Sequence, residues 1–295
     1  MADTTMRTPE GRTVGFTAYG DPMSDRLVLL CHPTPGTALD PEPVVTSRWG
    51  VHLIALERPG YGSSEPLPAG VPSTVRDRAG DVDAFLRRIE QEADAISHSR
   101  FEHYGVIGWG SGALVAAAIA AHDRSRVDRL ALVGPLAPQK AEREAREACG
   151  RPIDGEAFGI TDDDADLGRH LGLWNRLGRM AAESSVQGDA GARHDAELFG
   201  GTGWDDLIGG VTADTAVWLG DRDPVADDHD LRWYGARIPG LKAYRVRDSG
   251  PLTIAAAWSH VLQHVAPDHG SIEESERDSG DVFLADVDWV HPDQG

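Results

Sequence analysis

The sequence predicts an α/β fold, a mostly parallel sheet with helices on both faces. Two patterns carry that expectation. Short apolar runs of strand length recur from Gly15 to Val246, and segments of helical periodicity separate them. One of those helices, Ala113–Ala121, is nearly all apolar, as befits a helix enclosed between a sheet and further structure.

In chain order, Gly15–Tyr19 and Arg26–Cys31 are apolar runs divided by Gly20-Asp21-Pro22, a turn signal. Val51–Leu56 is a third run and leads into Glu57-Arg58-Pro59-Gly60-Tyr61-Gly62-Ser63. Val75–Glu92 sets Val75, Ala79, Val82, Phe85, Leu86 and Ile89 at helical spacing with charges opposite. Tyr104–Ile107 reads as a short strand before the apolar helix. Val127–Val133, Thr215–Leu219 and Ala243–Val246 read as three more, and Pro251–Val265 as a helix. The core is therefore expected at 1–138 and 212–267. Residues 139–211 break the rhythm: they are polar and helix-biased, with glycine joints at Gly200-Gly201 and Gly209-Gly210. Inserted there, they are expected to form a helical lid over the C-terminal edge of the sheet, where open α/β sheets bind ligands. In the acidic tail, 268–295, the first part has a disordered composition. Val282–Val290 alternates apolar and acidic residues and is expected to add a strand or dock.

Charge narrows the function. The 295 residues hold 48 Asp+Glu against 28 Lys+Arg, a net charge of −20. That balance argues against a sequence-independent grip on nucleic acid or on an anionic membrane, both of which need clustered cations. The tail alone contributes −8, so the body is only moderately acidic. Only Lys140 and Lys242 are lysines, and the arginine bias fits a high-GC bacterial genome. Cys31 and Cys149 are too few and too separated for a disulfide framework. Met1–Pro9 lacks the apolar centre of a signal peptide, and no run approaches about 18 apolar residues, so a reduced, cytoplasmic protein is expected. No metal or cofactor is expected, and a homodimer stands as a possible assembly.

Several motifs share one resemblance. Leu29–Thr37, LLCHPTPGT, resembles the strand-to-loop segment of α/β-hydrolases, and Glu57–Ser63, ERPGYGS, resembles their next landmark. Asp81 fits an Asp often seen in the following helix. Val106–Ala113, VIGWGSGA, falls where the nucleophile elbow belongs. Trp218–Val225, WLGDRDPV, resembles the acid loop, and Asp248–Ile254, DSGPLTI, the loop that carries the histidine. The resemblance runs from about residue 12 to residue 266 and implies an α/β-hydrolase fold with a helical lid. Mapped position by position, it sets Gly110 where the nucleophile belongs, Pro251 where the histidine belongs, and Asp223 at the acid. It also assigns the oxyanion-hole N–H groups to Ser111 and Thr34. Pro33 stands where the family has a glycine, which stiffens that loop.

The candidate catalytic residues are thus Asp223, Asp40 and Ser111. Asp223 is either a base raised by an apolar pocket or a relic that bonds backbone. Ser111 is either a nucleophile slipped by one residue or the capping residue of its helix. Asp40 is a carboxylate near the expected rim. His32, Trp109, Gly110, Pro251, Trp174 and Trp204 are expected around the pocket, His32 either there or orienting its loop by hydrogen bonds. His260 and His264 share a helix face, as surface residues or as a substitute base or ligand pair. Three functions follow. The leading one is non-hydrolytic catalysis (cyclisation, elimination or rearrangement) on an apolar small molecule in bacterial specialised metabolism. The alternatives are an esterase or epoxide-type hydrolase using Ser111 or an Asp223-activated water, and a non-catalytic binder or scaffold.

Overall fold

The computed structural model describes residues 4–74, 80–88, 101–153, 158–161, 164–271 and 287–290. Among these, nine strands form one sheet in the order β1-β2-β4-β3-β5-β6-β7-β8-β9. β1 (Thr4–Arg7) and β2 (Thr13–Gly20) are antiparallel, and β2 is antiparallel to β4 (His52–Leu56). From β4 onward the sheet is parallel through β3 (Leu27–Cys31), β5 (Tyr104–Trp109), β6 (Val127–Val133), β7 (Asp214–Gly220) and β8 (Lys242–Val246).

Side-chain alternation explains why both faces are covered. Along β3, Leu27, Leu29 and Cys31 enter one apolar cluster, and Val28 and Leu30 enter the other. β6 divides the same way, Leu130 and Leu132 against Ala131 and Val133. A strand that is apolar on both sides must be covered on both sides. The first face packs on helical residues 80–88 (α2) and on α3 (Gly112–His122), whose positions 112–121 are all buried. The second packs on α1 (Pro43–Trp49), α10 (Thr253–Ala256) and α11 (Trp258–Val265). The expected helix at 251–265 is thus two short helices, broken at Ala257.

Among the described residues between β6 and β7 run five helices: α4 (Pro138–Ala148), α5 (Ala165–Arg169), α6 (Leu173–Ser184), α7 (Ala190–Phe199) and α8 (Trp204–Ile208). They do not lie loosely above the sheet. Leu173, Leu177 and Met180 of α6 join the second cluster, and Phe199, Trp204 and Ile208 join the first. α9 (Asp228–Gly235) follows β7 and opens with a reciprocal capping box between Asp227 and Asp230.

The tail contributes β9 (Val287–Val290), antiparallel to β8, with Arg247 paired to Asp288 at 2.7 Å. It therefore adds a strand, as its alternation predicts. Residues 282–286 of that segment, and 75–79 and 89–92 of the expected helix, lie outside the described residues. No described helix is long and apolar enough to cross a membrane. Deleting residues 287–295 should expose the β8 edge and lower the melting temperature by at least about 2 °C in a thermal-shift scan. An unchanged melting temperature would show that β9 does not hold to the sheet.

Candidate active site

The loops after five parallel strands meet at one cavity. Pro33 follows β3, Trp109 and Gly110 close β5, and Gly134 and Leu136 follow β6; Asp223, Val225 and Ala226 follow β7, and Pro251 follows β8. Glu144 of α4 and Phe158 complete the lining. The space opens to solvent and is about 30 Å³, enough for a water molecule or one functional group.

Gly110 turns the chain from β5 into α3 with φ +57°, a conformation that side chains disfavour and glycine adopts without strain. Its N–H bonds to the Val133 carbonyl at 2.9 Å, which ties the turn to the neighbouring strand. A Cβ on Gly110 would lie 3.2 Å from Cβ of Pro33, so the proline ring sits where a side chain at the turn would begin. Gly112 is held closer still: a Cβ there would meet the Cys31 and His32 carbonyls at 2.4 Å. α3 therefore starts in backbone contact with the β3 loop.

That loop is fixed by a buried ion pair. Arg58 grips Asp195 of α7 through two bonds, Nε to Oδ1 at 2.8 Å and Nη2 to Oδ2 at 2.6 Å. The same guanidinium donates to the carbonyls of His32 and Pro33 and to Oγ1 of Thr34. Thr34 and Tyr61 hydroxyls donate to Oδ2 of Asp195 at 2.6 and 2.8 Å. Burial pushes the Asp195 carboxyl up, but Arg58 overrides it and leaves the group below its ordinary value.

Two carboxyl groups face the cavity in different settings. Asp223 accepts N–H bonds from Val225 at 2.8 Å and Ala226 at 3.1 Å through Oδ1. Burial raises its pKa and the two N–H groups oppose that rise. Glu144 has no such support. Burial pushes its pKa up to about 8; the neighbouring Ser111 hydroxyl and the Arg58 charge offset only part of this. Among the described residues its Oε2 is buried without a hydrogen-bond partner, although the residue as a whole is only half-buried.

Residues 26–255 match the family model described as the alpha/beta hydrolase fold. The chain belongs to the α/β-hydrolase family. Solved structures share the fold at low identity. A hydrolase from Pseudomonas aeruginosa PA01 is 18% identical with a TM-score of 0.65, covering 88% of this chain and 97% of its own. An esterase from Rhodococcus sp. ECU1013 is 20% identical with a TM-score of 0.65, covering 90% and 100%. The enol-lactonase from Burkholderia xenovorans LB400 is 18% identical with a TM-score of 0.62, covering 93% and 96%. No curated protein matches by sequence.

Within this α/β-hydrolase frame, Asp223, Trp109, Gly110 and Pro251 meet at the cavity, and the Trp109 indole donates to the Pro251 carbonyl at 3.3 Å. Other expected site residues lie elsewhere. Ser111 is fully buried in helical conformation, and its Oγ accepts the Thr34 N–H at 2.8 Å. That bond occupies the Thr34 N–H, one of the two backbone donors on which an oxyanion hole would depend. His32 accepts the Arg58 N–H at Nε2 and donates from Nδ1 to the Pro33 carbonyl, so it orients the loop as a neutral ring. Burial, with the Arg58 charge beside it, pushes its pKa down to about 3.

Asp40 is buried away from the cavity, where it accepts from Thr46 Oγ1 at 2.7 Å and braces the start of α1. Burial pushes it up to about 6. Trp174 is 52% exposed on α6, and Trp204 packs on Phe199 in the core, so neither lines the cavity. His264 bonds the Leu130 and Asp214 carbonyls, and His260 is half-buried on the same helix.

Sequence reasoning missed Glu144, Arg58 and Asp195. The one signal for Glu144 is its place three residues after Ala141, on the flank of the Ala141–Ala145 stripe that buries α4. Asp195→Asn should cost about 3–5 kcal/mol in urea unfolding, because it strands a buried guanidinium. A loss under about 1 kcal/mol would show that the pair does not anchor the loop.

Proposed function

We propose that this α/β-hydrolase-fold chain is an enzyme that works without an acyl-enzyme, by proton transfer to and from an apolar small molecule. The reaction is a cyclisation, elimination or rearrangement with Asp223 as base, and helices α4–α8 act as its lid. One observation carries this reading. At the turn where the family places its nucleophile there is a glycine, and the next residue's hydroxyl, Ser111, is fully buried and accepts the Thr34 N–H. Pro251 stands at the histidine position, so a Ser–His relay has neither member. What the cavity retains is carboxyl chemistry among apolar walls: Pro33, Trp109, Leu136, Phe158, Val225 and Pro251.

The cavity volume bears on how a substrate binds. On this reading the reacting group enters the small cavity and the apolar remainder stays outside it, since the space opens to solvent. Hydrolysis by an Asp223-activated water is the second reading, favoured by the unbonded side of Asp223, whose Oδ2 faces Gly134 at the cavity wall.

A fluorophosphonate probe and a small carbon acid separate these readings. The protein should take no label on Ser111, and it should speed deuterium exchange of the nitroethane C–H in D2O. Asp223→Asn should cut that exchange at least about tenfold. Labelling of Ser111 would restore the covalent reading, and p-nitrophenyl acetate hydrolysis that depends on Asp223, without nitroethane exchange, would select the water mechanism. Exchange indifferent to Asp223→Asn would remove the base.

A further inference from the structure

We infer that Glu144 is the proton donor of this cavity, presenting a protonated Oε2 to the carbonyl oxygen of a neutral substrate while Asp223 takes a proton from the adjacent carbon. The inference rests on the proton-transfer reading above and assigns its second group and its substrate class.

The geometry leaves one oxygen of Glu144 open. The Thr34 N–H donates to Ser111 Oγ at 2.8 Å, and the Ser111 hydroxyl lies near enough to Glu144 to favour its charged form without outweighing burial. Among the described residues, Oε2 of Glu144 is buried with no hydrogen-bond partner, on a residue that lines the cavity. A buried, unpartnered carboxylate oxygen is costly, whereas a carboxylic acid O–H aimed into the cavity awaits an acceptor. The charged groups around Glu144 agree with this. Arg58 is committed to Asp195 and three loop oxygens, while Asp195 and Asp223 both disfavour a further negative charge. Lys140, one turn earlier on α4, is turned to Asp227, Asp230 and the Val225 carbonyl. Asp223, with two N–H donors on Oδ1 that oppose the effect of burial, is the member of the pair whose charge the protein supports. Two carboxyl groups set apart in this way divide into acid and base.

The lining also names the substrate class. Among the described residues it holds two carboxyl groups and no Lys, Arg or His, so none of them recruits a carboxylate or phosphate. A ketone or aldehyde on an apolar body satisfies the orphaned donor and fits the walls. Asp223 removes a hydrogen from the carbon beside the carbonyl, and that C–H pair becomes a C=C bond. The carbonyl π pair takes the Oε2 proton, giving an enol, neutral Asp223 and ionised Glu144, which the Ser111 hydroxyl steadies. Where the substrate carries a β,γ double bond, the enol is a dienol. Return of the Asp223 proton to its γ-carbon then moves the double bond to the α,β position. The enol O–H pair restores C=O and its proton returns to Glu144, which completes an isomerisation with no other reactant.

Cyclopentanone labelled with ¹³C at the carbonyl tests this directly. At pH 6 its carbonyl resonance should move downfield on binding the wild-type protein, and the shift should fade as pH rises through about 8. Glu144→Leu should abolish the shift, Asp223→Asn should keep it, and Glu144→Gln, which preserves shape, should remove its pH dependence. Deuterium exchange beside the carbonyl should fall at least about tenfold in Glu144→Leu. No shift with the wild-type protein, or an equal shift in Glu144→Leu, overturns the inference. A Glu144-dependent shift without exchange refutes the Asp223 base alone. Exchange that needs Asp223 but ignores Glu144 refutes the Glu144 donor alone.

Discussion

The guanidinium of Arg58 is the constraint from which the site follows. It bonds the two carboxylate oxygens of Asp195, the carbonyls of His32 and Pro33, and the hydroxyl of Thr34, all in the buried seam between the β3 loop and α7. A buried charge that satisfies this many acceptors is worth more as a determinant of shape than of stability. With it in place the Pro33 ring sits against Gly110 and the Thr34 amide points at Ser111. Through Asp195 it also seats α7, on which α4 packs, and α4 carries Glu144. One side chain thereby sets the position of both the loop beneath the cavity and the helix above it.

Glycine completes the seam where atoms come closest. A Cβ on Gly60 would meet the Gly191 amide at 2.6 Å, and one on Gly191 would fall 2.6 Å from the Tyr61 ring. The insertion can press on the 57–63 loop only because neither residue has a side chain. The same contact lets the Tyr61 hydroxyl reach Asp195. Polar groups in the seam thus answer one another, whereas Oε2 of Glu144 is left open at the cavity. An unmet donor beside a solvent-connected space is where a ligand completes the hydrogen-bond set.

The frame of this fold was legible because the parallel strands are apolar on both faces and their loops carry turn residues at regular intervals. Val127–Val133 is a strand with those bounds, and the other central strands agree within two residues. β1, α1 and α9 were not legible. TTMR has no alternation long enough to read, and α1 and α9 are short, with α9 set by the Asp227–Asp230 box. At the site, Asp223, Gly110 and Pro251 could be found because they occupy fixed places next to strand ends. Glu144 could not, since in sequence it is one of three glutamates on a charged helix and only the packing of Ala141 and Ala145 turns it inward. Trp174 and Trp204 misled for the complementary reason: an aromatic in a helical insertion gives no sign of whether it faces a cavity, the core or water.

The central claim is that a neutral carboxylic acid faces the cavity at neutral pH. Uniform ¹³C labelling of glutamate side-chain carboxyls, followed by NMR from pH 4 to pH 10, tests it with no substrate. The account predicts one resonance with its midpoint near 8, absent in Glu144→Gln. If every glutamate in the folded protein instead titrates in the ordinary carboxylate range of about 4–5, Glu144 is ionised at neutral pH and the account is contradicted.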